Sequence, residues 1–174
     1  MIFGRPEVFA IEVHNERTAE SPSGLWGRSC VHVQGNPIGA ILEPHCGLDA
    51  FADHIAEVLS RLDSLCDGQL GMMDDTEVFS FLDQRLYGDA GRTVEQMSAD
   101  WTSLGRFCFL TNVGDQFDGW KAFMFLRPDG MLRITSCRGE GPSIVHRIDR
   151  PTFEIVASTF LEWIEAERER VASL

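Results

Sequence analysis

The sequence predicts an α+β protein: a mostly antiparallel β-sheet with about three α-helices packed on one face. Three observations carry this. Apolar and polar residues alternate over Val8 to His14 and in two further early segments, the period of a half-buried strand. Apolar residues then recur at three- and four-residue intervals from Leu48 to Leu62, as on one face of a helix. After residue 105 strand character returns, and a helical pattern closes the chain. Strands, then helices, then strands and a last helix segregate the two kinds of element, which is the α+β ordering.

The elements follow in chain order. Phe9, Ile11 and Val13 face one way along the first strand, and the polar run 14–24 reads as a loop. "WGRSCVHV" and "PIGAIL" flank "QGNP", where Gly35-Asn36 offers the chemistry of a tight hairpin turn. A first helix over about 48–65 carries Leu48, Phe51, Ile55, Val58 and Leu62 inward. Asp74 and Glu77 stand at capping-box spacing, starting a second helix that turns Val78, Phe81, Leu82 and Leu86 inward and ends near Tyr87. "GDAGRTVEQMSAD" is weakly patterned and reads as a mobile connector. Strands are predicted at "RFCFLTNV", "WKAFMFLR", "MLRITSC" and "SIVHRI", the middle two joined by the turn "PDG". The closing helix puts Phe153, Val156, Ala157, Phe160 and Ile164 on one face, with Glu165–Arg168 and Glu167–Arg170 pairs on its charged tail.

At 174 residues and 44% apolar content the chain can bury a core without staples, as one domain over 1–174. Its five cysteines are widely spaced and read as reduced core thiols. No apolar run approaches the roughly 18 to 20 residues of a membrane helix, and the start lacks a signal-peptide pattern, so a soluble cytoplasmic protein is expected. The net charge of −12 is uneven: residues 1–100 hold 17 acids against 6 Lys/Arg, giving −11, and 101–174 hold 10 against 9, giving −1. Such a field disfavours nucleic acid and anionic membranes as partners and favours a basic protein.

Chemistry was sought in two stretches. In "EPHCG", His45 and Cys46 suggest a base and a nucleophile, yet neighbours on an extended chain point to opposite sides. In "GDQFDGWKAF", Asp115 and Asp118 suggest paired carboxylates, but their glycine-flanked loop suits a turn equally. A small metal- or thiol-dependent hydrolase built on these two regions is the alternative reading. His14, His32 and His45 with acids on facing strands are the only material for a metal, and no HExxH, CxxC or EF-hand spacing organises them. Phosphate-binding glycine loops are absent too. The residues alone therefore predict no catalytic centre, no metal and no cofactor, and point toward binding a macromolecule.

"MIFGRPEVFAIEV", "LWGRSCVHVQGNPIG" with "EPHCGL", "FSFLDQRLYGD" and "FLTNVGDQFDGWKAF" ahead of "PDG" resemble, in that order, the Imm42 family of immunity proteins of bacterial polymorphic toxin systems. The resemblance spans nearly the whole chain. It implies a cytoplasmic, non-catalytic α+β protein that binds a cognate toxin domain and blocks it. The matched Trp26, Gly27, Pro44, Gly47, Gly119 and Trp120 are expected to maintain the fold, because residues common to binders of different toxins cannot set specificity. Contact with the toxin, for which the charge suits a basic nuclease, is assigned instead to Glu43, Asp49, Asp53 and Glu57 on or near the first helix. A second acidic set, Asp74, Asp75, Glu77 and Asp83, lies on the second helix.

Overall fold

The computed structural model describes residues 1–16, 24–42, 46–88, 91–111 and 113–173. The chain falls into two compact units, one of Met1–Ser60, Asn112–Asp118 and Ile148–Leu174, the other of Arg61–Thr111 and Gly119–Arg147. The α+β class holds, with the strands divided between two antiparallel sheets.

The first unit is built on strands β1 (Ile2–Arg5), β2 (Phe9–Asn15), β3 (Trp26–Val33), β4 (Asn36–Ile38) and the short β5 (Cys46–Gly47). They run in the order β1-β2-β3-β4, with β5 also paired to β3. The β3–β4 turn sits one residue earlier than expected, on Gln34 and Gly35, whose φ angles are +50° and +79°. Val33 pairs Asn36, so the loop has two residues, and two positive φ values match the twist of the flanking strands. Strand β1 was not anticipated; only four residues long, it carries little periodicity of its own.

Helices α1 (Leu48–Ser60) and α5 (Arg150–Ala172) complete this unit. Leu48, Phe51, Ala52, Ile55 and Val58 of α1 are buried. Asp149 caps α5 by accepting from Thr152 N at 2.8 Å, Pro151 occupies the first turn, and Phe153, Val156, Ala157, Phe160 and Ile164 form its buried stripe. The core is aromatic: Phe9 meets Phe153 at 5.3 Å between ring centroids, and Phe51 meets Phe160 at 5.4 Å. Each such side chain contributes about 1.5–3 kcal/mol by leaving water. The loop segment 113–118 enters the same core, with Phe117 5.6 Å from Phe51 and the Gln116 amide donating to Ser29 Oγ at 3.0 Å.

The second unit holds the sheet β6-β7-β8, of Trp120–Leu126, Met131–Arg138 and Ile144–Asp149, the last two residues of β8 grouping with the first unit. Its helices are α2 (Gly68–Met72), α3 (Asp75–Tyr87) and α4 (Val94–Leu104). Two expectations are corrected here. The supposed connector holds most of α4, begun by a Thr93–Gln96 capping box; Val94, Met97, Trp101 and Leu104 recur at helical spacing, but none of the helix's residues is buried. "RFCFLTNV" is not a strand over its described residues: Gly105–Phe107 is a 3₁₀ turn, and only an isolated bridge joins Cys108 to Phe123. On α3 the buried set is Val78, Phe79, Leu82 and Leu86, so Phe79 takes the inward place assigned to Phe81 and packs 5.4 Å from Phe123. The thiols are free, four of them buried as expected, while Cys66 is exposed.

Candidate functional site

The acids assigned to a binding surface fall into two settings. In the first unit, Asp49 and Asp53 of α1 share Arg168 of α5: Nε donates to Asp49 at 2.7 Å and Nη2 to Asp53 at 3.0 Å, while Glu165 takes Nη1 at 2.5 Å. The other Asp49 oxygen accepts from Leu25 N at 2.9 Å. Asp53 projects from this network with its side chain 73% exposed, and Glu57 is exposed one turn on. Glu43 and Pro44 lie outside the described residues.

In the second unit, Asp74 is the cap of α3. Its carboxylate accepts from Thr76 N at 2.9 Å and Glu77 N at 2.8 Å, and Glu77 returns a bond to Asp74 N at 3.0 Å. Asp75, the next residue, is largely buried and holds Arg127, Arg133 and Arg147 at 2.7, 3.4 and 3.1 Å. Burial by itself raises its pKa; the Arg127 bond and charge, with Arg133 and Arg147, outweigh that and keep the carboxyl below the ordinary aspartate range. Asp83 pairs with Lys121, the chain's one lysine, at 2.5 Å, and that ammonium lies 5.3 Å from the Tyr87 ring.

A shallow groove of about 600 Å³ runs along α3, lined by Met73, Asp74, Thr76, Glu77, Ser80, Phe81 and Gln84. Because Phe79 faces the core, Phe81 is left for this groove, beside the acids of the capping box. A second groove of about 520 Å³ follows α5, with Leu161 and Ala166 among Glu162, Glu165 and Glu169. The acids of α5 were not assigned to a surface from the sequence. Their i, i+3 and i+4 spacing signals one helix face, but it equally describes a solvated tail.

The family-motif positions divide. A Cβ on Gly27 would stand 2.1 Å from His14 O, so only glycine permits the β2–β3 approach at that position. Gly119 has φ +74°, and Trp120 packs under the Arg138 guanidinium at 5.9 Å. Gly47 pairs with Trp26. Trp26 itself is 41% exposed.

Among the described residues, the hydrolase groups do not make a catalytic set. Cys46 is buried, burial pushes its thiol pKa up, and Asp115 adds to the rise while Ser29 opposes it; an activated nucleophile needs the opposite. His45 lies outside the described residues. Asp115 and Asp118 close a 3₁₀ turn through the backbone bond from Asp118 N to Asp115 O at 3.0 Å, and both are exposed.

Helices α3 and α5 thus each carry a groove in which apolar residues sit among acids. The sequence matches the model of the immunity protein 42 family, Imm42, over residues 1–163, and the chain belongs to that family. Its fold is similar to that of a solved structure, CdiI from Burkholderia dolosa AUO158, with a TM-score of 0.61 at 14% identity over 94% of this chain and 99% of that one. No curated protein matches the sequence. Among the described residues no helix is long and apolar enough to cross a membrane.

Proposed function

We propose that this immunity protein binds and neutralises a cognate contact-dependent toxin domain in the cytoplasm, covering the toxin's active or substrate-binding surface. Membership of the immunity protein 42 family over residues 1–163 is the observation that carries the reading. That match runs through both compact units, which supports their acting as one immunity domain. The protein works by occlusion rather than catalysis. The net charge of −12 favours a basic toxin surface, such as that of a nuclease, by steering encounter and complementing its charge.

The α3 groove is the contact best suited to this role. Phe81 supplies an aromatic anchor, Met73 an adaptable apolar one, and Asp74 and Glu77 a rim of negative charge. Glu43, Asp49, Asp53, Glu57, Asp75 and Asp83 contribute to the same negative field, with Asp49, Asp75 and Asp83 also serving internal ion pairs.

Co-expression with the toxic domain encoded next to this chain tests the proposal. Rescue of growth with a co-purifying stoichiometric complex is the expected result. Phe81→Ala should then weaken the complex by about 2 kcal/mol, roughly 30-fold. A toxin that remains lethal and leaves no complex would overturn the pairing, and full affinity in Phe81→Ala would remove the α3 groove from the interface.

A further inference from the structure

Four potential ligands share one face of β2 and β3, with His14 and His32 on opposite sides of a central Glu12–Cys30 pair, facing Arg28 and Ala10 respectively. Glu12 pairs Cys30 across the strands, and His14 and His32, each two residues along, project from the same face. Their reactive atoms converge. His32 Nε2 lies 2.7 Å from Glu12 Oε2 and 3.3 Å from Cys30 Sγ, and that sulfur lies 3.8 Å from the same carboxylate oxygen. The three donors all fall within 4.8 Å of one another, and His14 Nε2 sits 3.0 Å from the other Glu12 oxygen.

We propose that Glu12, Cys30 and His32 form a binding site for a zinc-class divalent cation, with water completing the coordination. Around a tetrahedral zinc, with bonds of about 2.0–2.3 Å, neighbouring ligand atoms stand about 3.3–3.8 Å apart. The separations of 3.3 and 3.8 Å fall in that range, and the His32–Glu12 hydrogen bond, at 2.7 Å, must open by about 0.6 Å to reach it. One thiolate, one imidazole and a carboxylate suit zinc better than calcium or magnesium, which prefer oxygen alone.

The placement also allows entry and closure. Cys30 is buried at 1% exposure, whereas the His14 side chain is 49% exposed, so a cation arrives from the His14 side and meets the sulfur last. Binding breaks the S–H bond of Cys30, forms a metal–sulfur bond and releases one proton to solvent. The product is a cross-link between β2 and β3 within the sheet of the first unit. Sequence spacing hid this site because the ligands come from two different strands, Glu12 on β2 and Cys30 with His32 on β3, not from a local motif.

Titration of Co²⁺ into the purified, chelator-stripped chain reads this directly. The expected result is a near-ultraviolet thiolate-to-cobalt charge-transfer band with tetrahedral visible bands, saturating at one equivalent and bleached by Zn²⁺. Cys30→Ser should lose the charge-transfer band, and His32→Asn should bind at least about tenfold more weakly. Zinc should raise the thermal midpoint of the unsubstituted chain and leave that of Cys30→Ser unchanged. Absence of the charge-transfer band with excess cobalt overturns the proposal, as does an undiminished band in Cys30→Ser, which would place the metal on another thiol. If Cys30→Ser fails to fold by circular dichroism, His32→Asn decides: unchanged cobalt affinity there overturns the site.

Discussion

Asp53 on α1 and Asp75 on α3 look alike in the sequence, each an acid on the polar side of an amphipathic helix. Asp75 is enclosed by three arginines and largely buried, while Asp53 shares one arginine and stands 73% exposed. The difference comes from residues far along the chain. Arg127, Arg133 and Arg147 return to Asp75, Lys121 to Asp83, and Arg168 to Asp49 and Asp53. The near-neutral stretch 101–174 therefore spends its cations on the acids of 1–100, and the charge left for a partner is smaller and more local than the linear count of −11 implies.

Asp75→Ala should break this contrast most strongly. It takes the shared carboxylate from Arg127 and Arg133, whose side chains are only 11% and 8% exposed; Arg127 keeps the Leu70 and Met73 carbonyls and Arg133 keeps Asp129, so the cost is about 3 kcal/mol, the lower end for breaking a buried pair. Urea denaturation at neutral pH measures it. The acid limb supplies the sign. Because the folded-state pKa is depressed, this stabilisation is present above the unfolded value of about 3.9 and is lost as pH falls through the folded value. The stability of the native chain should therefore approach that of Asp75→Asn in acid, and parallel curves across pH would show that Asp75 is not the group responsible.

Much of the fold was legible where one face of an element is apolar. Helices α1, α3 and α5, strands β6 to β8 and the Asp74–Glu77 capping box all follow from local spacing. Helix α4 was legible by the same rules, since Thr93 and Gln96 spell the same box and Val94, Met97, Trp101 and Leu104 follow at helical spacing; the polar residues between them dilute that signal. The site was legible only as a quantity of charge. Which acids are internal depends on arginines more than 50 residues away for Asp75 and more than 110 away for Asp49, and no local pattern encodes that. The fate of Phe81 was likewise undecided, because Phe79 and Phe81 are both compatible with a helical stripe until β6 presents Phe123 to one of them.

Asp74→Ala probes the intermediate case. It removes bonds to Thr76 N and Glu77 N at the start of α3, and loss of such a cap costs about 1 kcal/mol. The thermal midpoint should fall by several degrees less than in Asp75→Ala. Glu77→Ala, which deletes only the reciprocal half of the box, should cost less again. Toxin affinity measured on these two variants separates a shaped groove from a charged one: if only the charge matters, the two lose affinity equally despite unequal stability.

Asp49→Ala should be milder than its contact list implies. The Asp49–Arg168 pair is about one-third exposed on each side, and exposed pairs are worth about 0.2–1 kcal/mol; the bond from Leu25 N adds to this. Asp53→Asn lies at the bottom of the scale, with stability expected to change by less than about 0.5 kcal/mol, because Arg168 keeps Asp49 and Glu165. That silence makes Asp53 the sharpest probe of function. A charge whose one internal pair is exposed and backed by two other acids acts on toxin binding chiefly through the toxin, and a rim charge acts mainly on association rate and its salt dependence. Stopped-flow association with the cognate toxin should therefore be slower for Asp53→Asn at low salt and converge with the native chain at high salt. Identical rates at every salt concentration would exclude Asp53 from the encounter and turn the test to the acids of the α3 and α5 grooves.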